Sequence, residues 1–289
     1  MPLSQISVPL TREQAFALVD AVMERDDLAL TASAHEDLKT GEWVFEATTE
    51  MLPDLIAFEE LAQHTLGGAV DFSIAAIDTE TNWVAKSLEG LKPVTAGGFY
   101  VYGSHEDAPP PGGVIPIRID AAQAFGTGHH ETTTGCLEAI SLTLRRGRPQ
   151  RMLDVGTGTG VLAIALAKRT HLPVLATDID PVATATTIAN AHDNGVGTLI
   201  HAATAIGMNH PLIRKSRPFD LIVANILAAP LAALAPAIGR HAARGATIIL
   251  SGILLTQAQR VIAAYGRQGM ILRRRLNRGE WATLILERP

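Results

Sequence analysis

The chain has 289 residues, a formal net charge of −5, 47% hydrophobic side chains and one cysteine, Cys136. That length allows one large or two smaller domains, and a single cysteine excludes an intramolecular disulfide and a cysteine-built metal cage. The charge is divided: residues 1–92 hold 17 Asp/Glu and 5 Lys/Arg, a balance of −12, and residues 93–289 hold 12 and 19, a balance of +7. The acidic part reads as a separate unit whose field attracts a basic partner and repels nucleic acid.

Thr11-Arg-Glu interrupts the N-terminus and no apolar run of signal-peptide type follows, so no secretory signal is expected and a cytoplasmic location is. Thr11 to Arg25 predicts a helix, with Thr11 as cap and Ala15, Leu18, Val19 and Val22 as its apolar stripe. Trp43-Val-Phe-Glu-Ala alternates as a strand does. Residues from Pro53 to His64 predict a second helix with proline in its first turn, and Phe72-Ser-Ile-Ala-Ala-Ile a further strand. This part is expected to be a small α+β domain over 1–78, followed by a helical linker over 79–92.

From Pro93 the character changes. Phe99-Tyr-Val-Tyr and Val114-Ile-Pro-Ile-Arg-Ile predict short strands around a Pro/Gly turn at 109–113. Next comes Phe125-Gly-Thr-Gly-His-His-Glu-Thr-Thr-Thr134, then a helix through Leu144. From Met152 onward strands and helices alternate: 152–155, 161–168, 174–177, 181–193, 221–224, 230–241 and 247–250. Alternation of this kind predicts a parallel sheet covered by helices on both faces, with ligands at the carboxyl ends of the strands. Asp154, Asp178 and Asn225 each fall at such an end. The long uncharged run Leu221 to Ile238 contains Asn225, Pro230 and Pro236, so a strand, a turn and a short helix are expected rather than a membrane span.

Asp154-Val-Gly-Thr-Gly-Thr-Gly160 is the most informative motif. A strand leads into it, a helix follows, and Asp178 lies about 20 positions on, the layout of a nucleoside cofactor site. Gly156, Gly158 and Gly160 let backbone N–H groups approach a ligand closely, and Asp178 is placed to accept from two ribose hydroxyls. A dinucleotide fingerprint needs glycine where Val161 stands, which argues against a nicotinamide-dependent oxidoreductase. The Asp-x-Gly-x-Gly-x-Gly form resembles S-adenosylmethionine-dependent methyltransferases instead. The loop at 125–134 is read as folding over the cofactor, with Thr132 or Thr133 capping the next helix or reaching the cofactor's polar end. No metal site is expected. Asn225 at a strand end can accept from an amine N–H and so aim its lone pair at a methyl group. Asn225-Ile-Leu-Ala lacks the aromatic clamp that adenine and glutamine methyltransferases carry here, which counts against a flat base or amide as acceptor. Arg273-Arg-Arg275 with Arg278 is read as an exposed strand rim.

Six motifs occur in the order found in the ribosomal protein L-eleven methyltransferases, the PrmA family, which the chain resembles over about residues 80–289. They are the loop at 125–133, the turn at 154–160, Asp178-Ile-Asp-Pro181, Asn225-Ile-Leu-Ala, Ser251-Gly-Ile-Leu254 and Gly279-Glu-Trp281. The resemblance implies a Rossmann-like class I methyltransferase domain over 93–289, a parallel sheet with an antiparallel edge strand, behind a small ferredoxin-like domain that binds the substrate protein. It implies S-adenosyl-L-methionine as cofactor, held by Thr133, Gly156, Gly158, Gly160, Asp178, Asn225 and Phe125, with Asn225 also placed at the chemistry. The acceptor it implies is the lysine side chains and N-terminal amine of a basic large-subunit ribosomal protein, L-eleven. No direct nucleic-acid partner and no membrane are expected, and the chain is expected to be a monomer. The alternative is a class I methyltransferase acting on another protein or on a small-molecule amine.

Overall fold

A computed structural model describes residues 3–23, 25, 28–37, 40–50, 52–76, 93–104, 110–119 and 130–289. Those up to Ala76 belong to one compact unit and those from Pro93 to another. The helical linker expected over 79–92 lies outside the described residues.

The first unit runs β1 (Leu3–Leu10), α1 (Arg12–Met23), β2 (Thr31–Glu36), β3 (Trp43–Glu50), α2 (Leu55–Leu66) and β4 (Ser73–Ala76). Its sheet has the order β2-β3-β1-β4, with every pairing antiparallel. This βαββαβ arrangement is the ferredoxin-like one. Thr11 caps α1 as expected, its hydroxyl accepting the Gln14 N–H at 3.4 Å, and Ala15, Leu18, Val19 and Val22 are buried. In α2 the cap is Asp54, whose carboxylate accepts the Ala57 N–H at 3.1 Å. Pro53 therefore precedes that helix rather than occupying its first turn. Phe72 meets Phe45 and Phe58 edge-on, ring centres 6.3 and 5.8 Å away, and closes the core.

The second unit opens with a small sheet of β5 (Val94–Ala96), β6 (Phe99–Tyr102) and β7 (Ile115–Arg118), followed by α3 (His130–Leu144). Then come β8 (Met152–Val155), α4 (Val161–Thr170), β9 (Val174–Asp178), α5 (Pro181–Asp193), β10 (Ile200–Thr204), α6 (Pro211–Ser216) and β11 (Phe219–Asn225). The chain ends with α7 (Ala228–His241), β12 (Ala242–Leu254), α8 (Ala258–Gly266), β13 (Ile271–Arg278) and β14 (Trp281–Glu287). The large sheet is ordered β10-β9-β8-β11-β12-β14-β13. Its first five strands are parallel, and the β13–β14 hairpin supplies the antiparallel edge. The run from Leu221 to Ile238 resolves into β11, a turn and α7, as expected.

Both faces of this sheet are covered. Leu221 and Val223 join an apolar layer with Leu137, Ile140 and Ile164, while Ile222 and Ala224 join another with Leu231, Ile238 and Tyr265. Strand side chains alternate between faces, so β11 is apolar throughout because neither of its faces meets water. Strand order reverses between β8 and β11, and the crevice at their carboxyl ends is where such sheets bind ligands.

Two local devices shape that crevice. Asp154, 1% exposed, ends β8 and accepts from the Thr157 hydroxyl at 2.8 Å and the Ala163 N–H at 3.1 Å. It ties the turn to the first turn of α4. Its other carboxylate oxygen is buried without a partner. Burial pushes its pKa up to about 7, against the lowering effect of these two hydrogen bonds, and the nearby Asp178 charge raises it further. The second device is a clamp on Ile226. A side chain at Gly156 would lie 2.3 Å from the Ile226 Cγ2, and one at Gly252 would lie 2.4 Å from the Ile226 carbonyl oxygen. The residue after Asn225 is thus held between two glycines.

Each device gives a test. A folded carboxylate with a raised pKa contributes stability that is present below its unfolded pKa near 4 and lost as pH rises through about 7. Asp154→Asn keeps the acceptor for Thr157 and Ala163 but cannot ionise. Relative to wild type its stability should therefore improve between pH 4 and 8 by on the order of 4 kcal/mol; a constant difference in denaturant titrations across that range would refute buried ionisation. Gly252 has φ +80°, where a side chain costs about 1–2 kcal/mol before any clash. Gly252→Ala should lower the melting temperature and the turnover together, and a variant that melts with the wild type would show that Ile226 is not clamped.

Candidate functional site

The glycine turn between β8 and α4 is held from several sides. The Thr177 carbonyl accepts the N–H groups of Gly156 at 2.8 Å and Thr157 at 3.0 Å. From α5, the Thr187 hydroxyl donates to the Gly158 carbonyl at 2.9 Å, and the Asn190 amide donates to the Thr159 carbonyl at 2.9 Å. Gly160 closes the turn by donating to the Thr157 carbonyl at 2.8 Å. A turn with so many restraints keeps its shape whether or not a ligand is present.

Asp178 stands at the carboxyl end of β9, part-buried. One of its carboxylate oxygens accepts the Gly158 N–H at 2.8 Å and the other accepts the Asp180 N–H at 3.1 Å. Each oxygen retains a second acceptor site. The carboxylate is therefore oriented by backbone and still able to receive two vicinal hydroxyls. The Ala205 N–H donates to the Asp178 carbonyl at 2.7 Å, so Ile179 and Ile206 leave adjacent strand ends. They are 67% and 76% exposed, and large apolar side chains that open beside a ligand-oriented carboxylate suit the face of an aromatic base. Sequence reasoning missed both. The available signal was an isoleucine directly after each strand end, and nothing in the sequence separates that from an ordinary core position.

Asn225 ends β11 beside the clamp on Ile226. Its amide nitrogen donates to the Thr132 hydroxyl at 3.4 Å, while its amide oxygen is buried with no hydrogen-bond partner among the described residues. Thr132 is itself fixed, since its carbonyl accepts from the Ser251 hydroxyl at 3.3 Å and Ser251 shares a hydrogen bond with Thr283 at 2.9 Å. Thr132 and Thr133 lie inside the first turn of α3, 0% and 3% exposed. Neither caps the helix, because α3 begins at His130, earlier than the threonine run suggests. Phe125 and the loop through His129 lie outside the described residues.

The structure thus brings Gly156, Gly158, Gly160, Asp178 and Asn225 to one end of the sheet, with Thr132 and Thr133 on the helix that follows the loop. Other candidates resolve into packing. Cys136 is fully buried and its thiol pKa is pushed up to about 12 by that burial, so it stays protonated. Arg273 pairs with Glu287 at 2.9 Å and Arg278 with Glu138, which makes this stretch the exposed rim strand expected. No group of three His, Cys, Asp or Glu side chains among the described residues gathers as metal ligands, and no described helix is long and apolar enough to cross a membrane.

Residues 5–289 match the family model described as ribosomal protein L11 methyltransferase (PrmA). A protein of that name from Rhizobium meliloti is 47% identical over 294 residues, covering 98% of this chain and 99% of its own. Another from Mesorhizobium japonicum is 53% identical over 208 residues, 72% of each chain. Among solved structures, a ribosomal protein L11 methylase from Lactobacillus delbrueckii subsp. bulgaricus superposes with a TM-score of 0.61 at 30% identity, covering 68% of this chain and 99% of that one. The chain belongs to the ribosomal protein L11 methyltransferase (PrmA) family.

Proposed function

We propose that this chain transfers methyl groups from S-adenosyl-L-methionine to lysine side chains and the N-terminal amine of ribosomal protein L11, the protein its relatives are named for methylating. The observation that carries this reading is the amide of Asn225: its nitrogen is tied to Thr132 and its oxygen is left buried and unpartnered. An acceptor of that kind suits an amine N–H.

The residues present fit the cofactor. Asp178 would hold the ribose hydroxyls through the two acceptor sites left beyond Gly158 and Asp180. Ile179 and Ile206 would cover the base, and Gly156, Gly158 and Gly160 would present backbone to the ligand. Thr133, Phe125 and Asn225 would complete the pocket around its amino-acid end. When bound, the cofactor supplies an electrophilic methyl on a sulfonium. The protein's task is then to deliver a neutral amine in line with that methyl. Positioning of reactants is worth roughly 7–11 kcal/mol. Neutralising a lysine of pKa about 10.4 at pH 7 costs roughly 4–5 kcal/mol, and an α-amine near 8 only about 1 kcal/mol. Removal from water beside a cation lowers a lysine pKa and reduces that cost. Asn225 orients the amine by accepting from one N–H, and water takes the released proton, since Asp154 is enclosed and Asp178 is held by backbone.

Residues 1–78 form, in this proposal, the unit that recognises the substrate protein, and 79–92 the linker that lets several amines reach one fixed site. The −12 balance of residues 1–92 supports this, because ribosomal proteins as a class are basic and opposite charge speeds encounter. The chain would act as a monomer in the cytoplasm.

Incubation with methyl-labelled donor and purified ribosomal proteins, followed by mass spectrometry, should place the label on lysines and the N-terminus of L11. Label on another protein, or only on a small amine, would refute the acceptor. Two variants should separate binding from chemistry. Asp178→Ala should weaken cofactor binding by calorimetry at least tenfold, the value of about 1.4 kcal/mol for one lost charged hydrogen bond. Asn225→Ala should lower kcat at saturating cofactor by about 10–100-fold, and a kcat near wild type would remove Asn225 from the chemistry.

A further inference from the structure

The end of the large sheet opposite the glycine turn carries two adjoining cavities, each of about 530 Å³, that share Gln150. They open at the amino ends of β8, β9 and β11. Seven residues of β11 at about 3.3 Å each separate them from Asn225 by roughly 20 Å. Arg146, Arg148, Arg273 and Arg274 line the first cavity, and Arg151 and Lys215 line the second. Against these six cations stand two carboxylates, Asp220 and Glu287, and both are engaged. Asp220 accepts the N–H groups of Gln150 and Arg151, each at 2.9 Å, and Glu287 accepts two bonds from Arg273 at 2.9 and 3.2 Å. Arg146, Arg148, Arg274 and Lys215 form no ion pair with a described residue. The +7 balance of residues 93–289 is therefore concentrated in part on one concave face that the methyl-transfer site does not use.

We propose that this face docks the phosphate backbone of RNA. Five of its six cations are arginines, whose planar fork matches phosphate oxygens two at a time. Two linked cavities are larger than one phosphate needs and suit a chain of them. A lipid surface is the poorer fit: membrane-lying segments pair basic residues with a broad apolar face, and here the cations line hollows edged by Pro149, Gln150 and Ser216. The charge split noted in the sequence, read there as repelling nucleic acid, repels it at the acidic unit and leaves this basic face available. The choice of RNA over DNA rests on the proposed ribosomal acceptor; the cationic face does not.

The test uses the full chain, a fluorescein-labelled 20-nucleotide RNA and fluorescence anisotropy across a salt series. Wild type should bind with an affinity that falls steeply with salt. The exposed double reversal R148E/R274E should weaken binding by about tenfold or more at 100 mM salt and flatten the log–log salt slope by about 1.5–2, as expected for two lost phosphate contacts. The same variant should keep its melting temperature and its rate of methyl transfer to free acceptor protein. Wild type failing to bind this RNA at 50 mM salt, the variant binding as wild type does, competition by millimolar inorganic phosphate alone, or preferential binding to phosphatidylglycerol vesicles would each overturn the proposal. A failure of the proposed acceptor would appear only in the methyl-transfer assay and would leave the RNA measurement standing.

Discussion

The 2.8 Å bond from the Gly158 N–H to the Asp178 carboxylate joins the ends of β8 and β9, and the site depends on it. The turn it holds is composed of glycine and threonine, which cannot fix its own shape by side-chain packing. Its order comes from neighbours: Thr177 and Asp178 below, Thr187 and Asn190 from α5 alongside, Asp154 beneath the start of α4. Asp178 therefore has two jobs. It spends one acceptor site per oxygen on the protein and keeps one per oxygen for a ligand. Removing it loosens the cradle as well as the contact.

Asn225 is controlled in a parallel way from the other side of the switch point. Its neighbour Ile226 sits between Gly156 and Gly252, so the glycine turn that faces the cofactor also presses on the residue that follows the chemistry. Thr132 then decides which end of the amide points where, and Thr132 is anchored through Ser251 to Thr283 on the antiparallel strand β14. The β13–β14 hairpin is thus more than a sheet edge. It supplies the last member of a hydrogen-bonded chain that runs to Asn225. This also accounts for Gly135 on α3: a side chain there would lie 2.2 Å from the Thr283 hydroxyl and would push α3 off the strand that anchors it.

Much of this was legible in the sequence because the strands that build the site are buried on both faces. Met152–Val155, Val174–Thr177 and Leu221–Ala224 read as continuous apolar runs, and their polar last residues stand out by contrast. The elements that escaped reading lack that contrast. β2 is Thr-Ala-Ser-Ala-His-Glu, with one of its six residues buried, and it is a strand because β3 pairs with it along its length. β10 lies at the sheet edge with only Ile200 and Ala203 buried, and it takes its register from β9. β1 carries Pro9, which lowers any strand reading, yet it forms a central strand of its sheet. In each case tertiary pairing overrides weak local preference. The same limit applies within the site. Spacing located Asp178, but the roles of Ile179 and Ile206 depend on exposure, which no periodicity reports.

The buried partnerless oxygen of Asp154 shows how the fold and the chemistry constrain each other. A carboxylate is a strong way to hold the first turn of α4, because it takes the Thr157 hydroxyl and the Ala163 N–H with one oxygen. Asparagine or serine would hold that turn without an ionisable group. Keeping an acid there leaves a second oxygen enclosed, close enough to Asp178 for each charge to raise the cost of the other. A bound cation relieves both penalties at once, by the same electrostatics that favour an ionised carboxylate next to positive charge. The ligand proposed for this crevice is cationic at its sulfonium and at its amine. The strain held at Asp154 in the free protein is therefore released on binding, and affinity for the donor should exceed affinity for its demethylated product, which has lost the sulfonium charge.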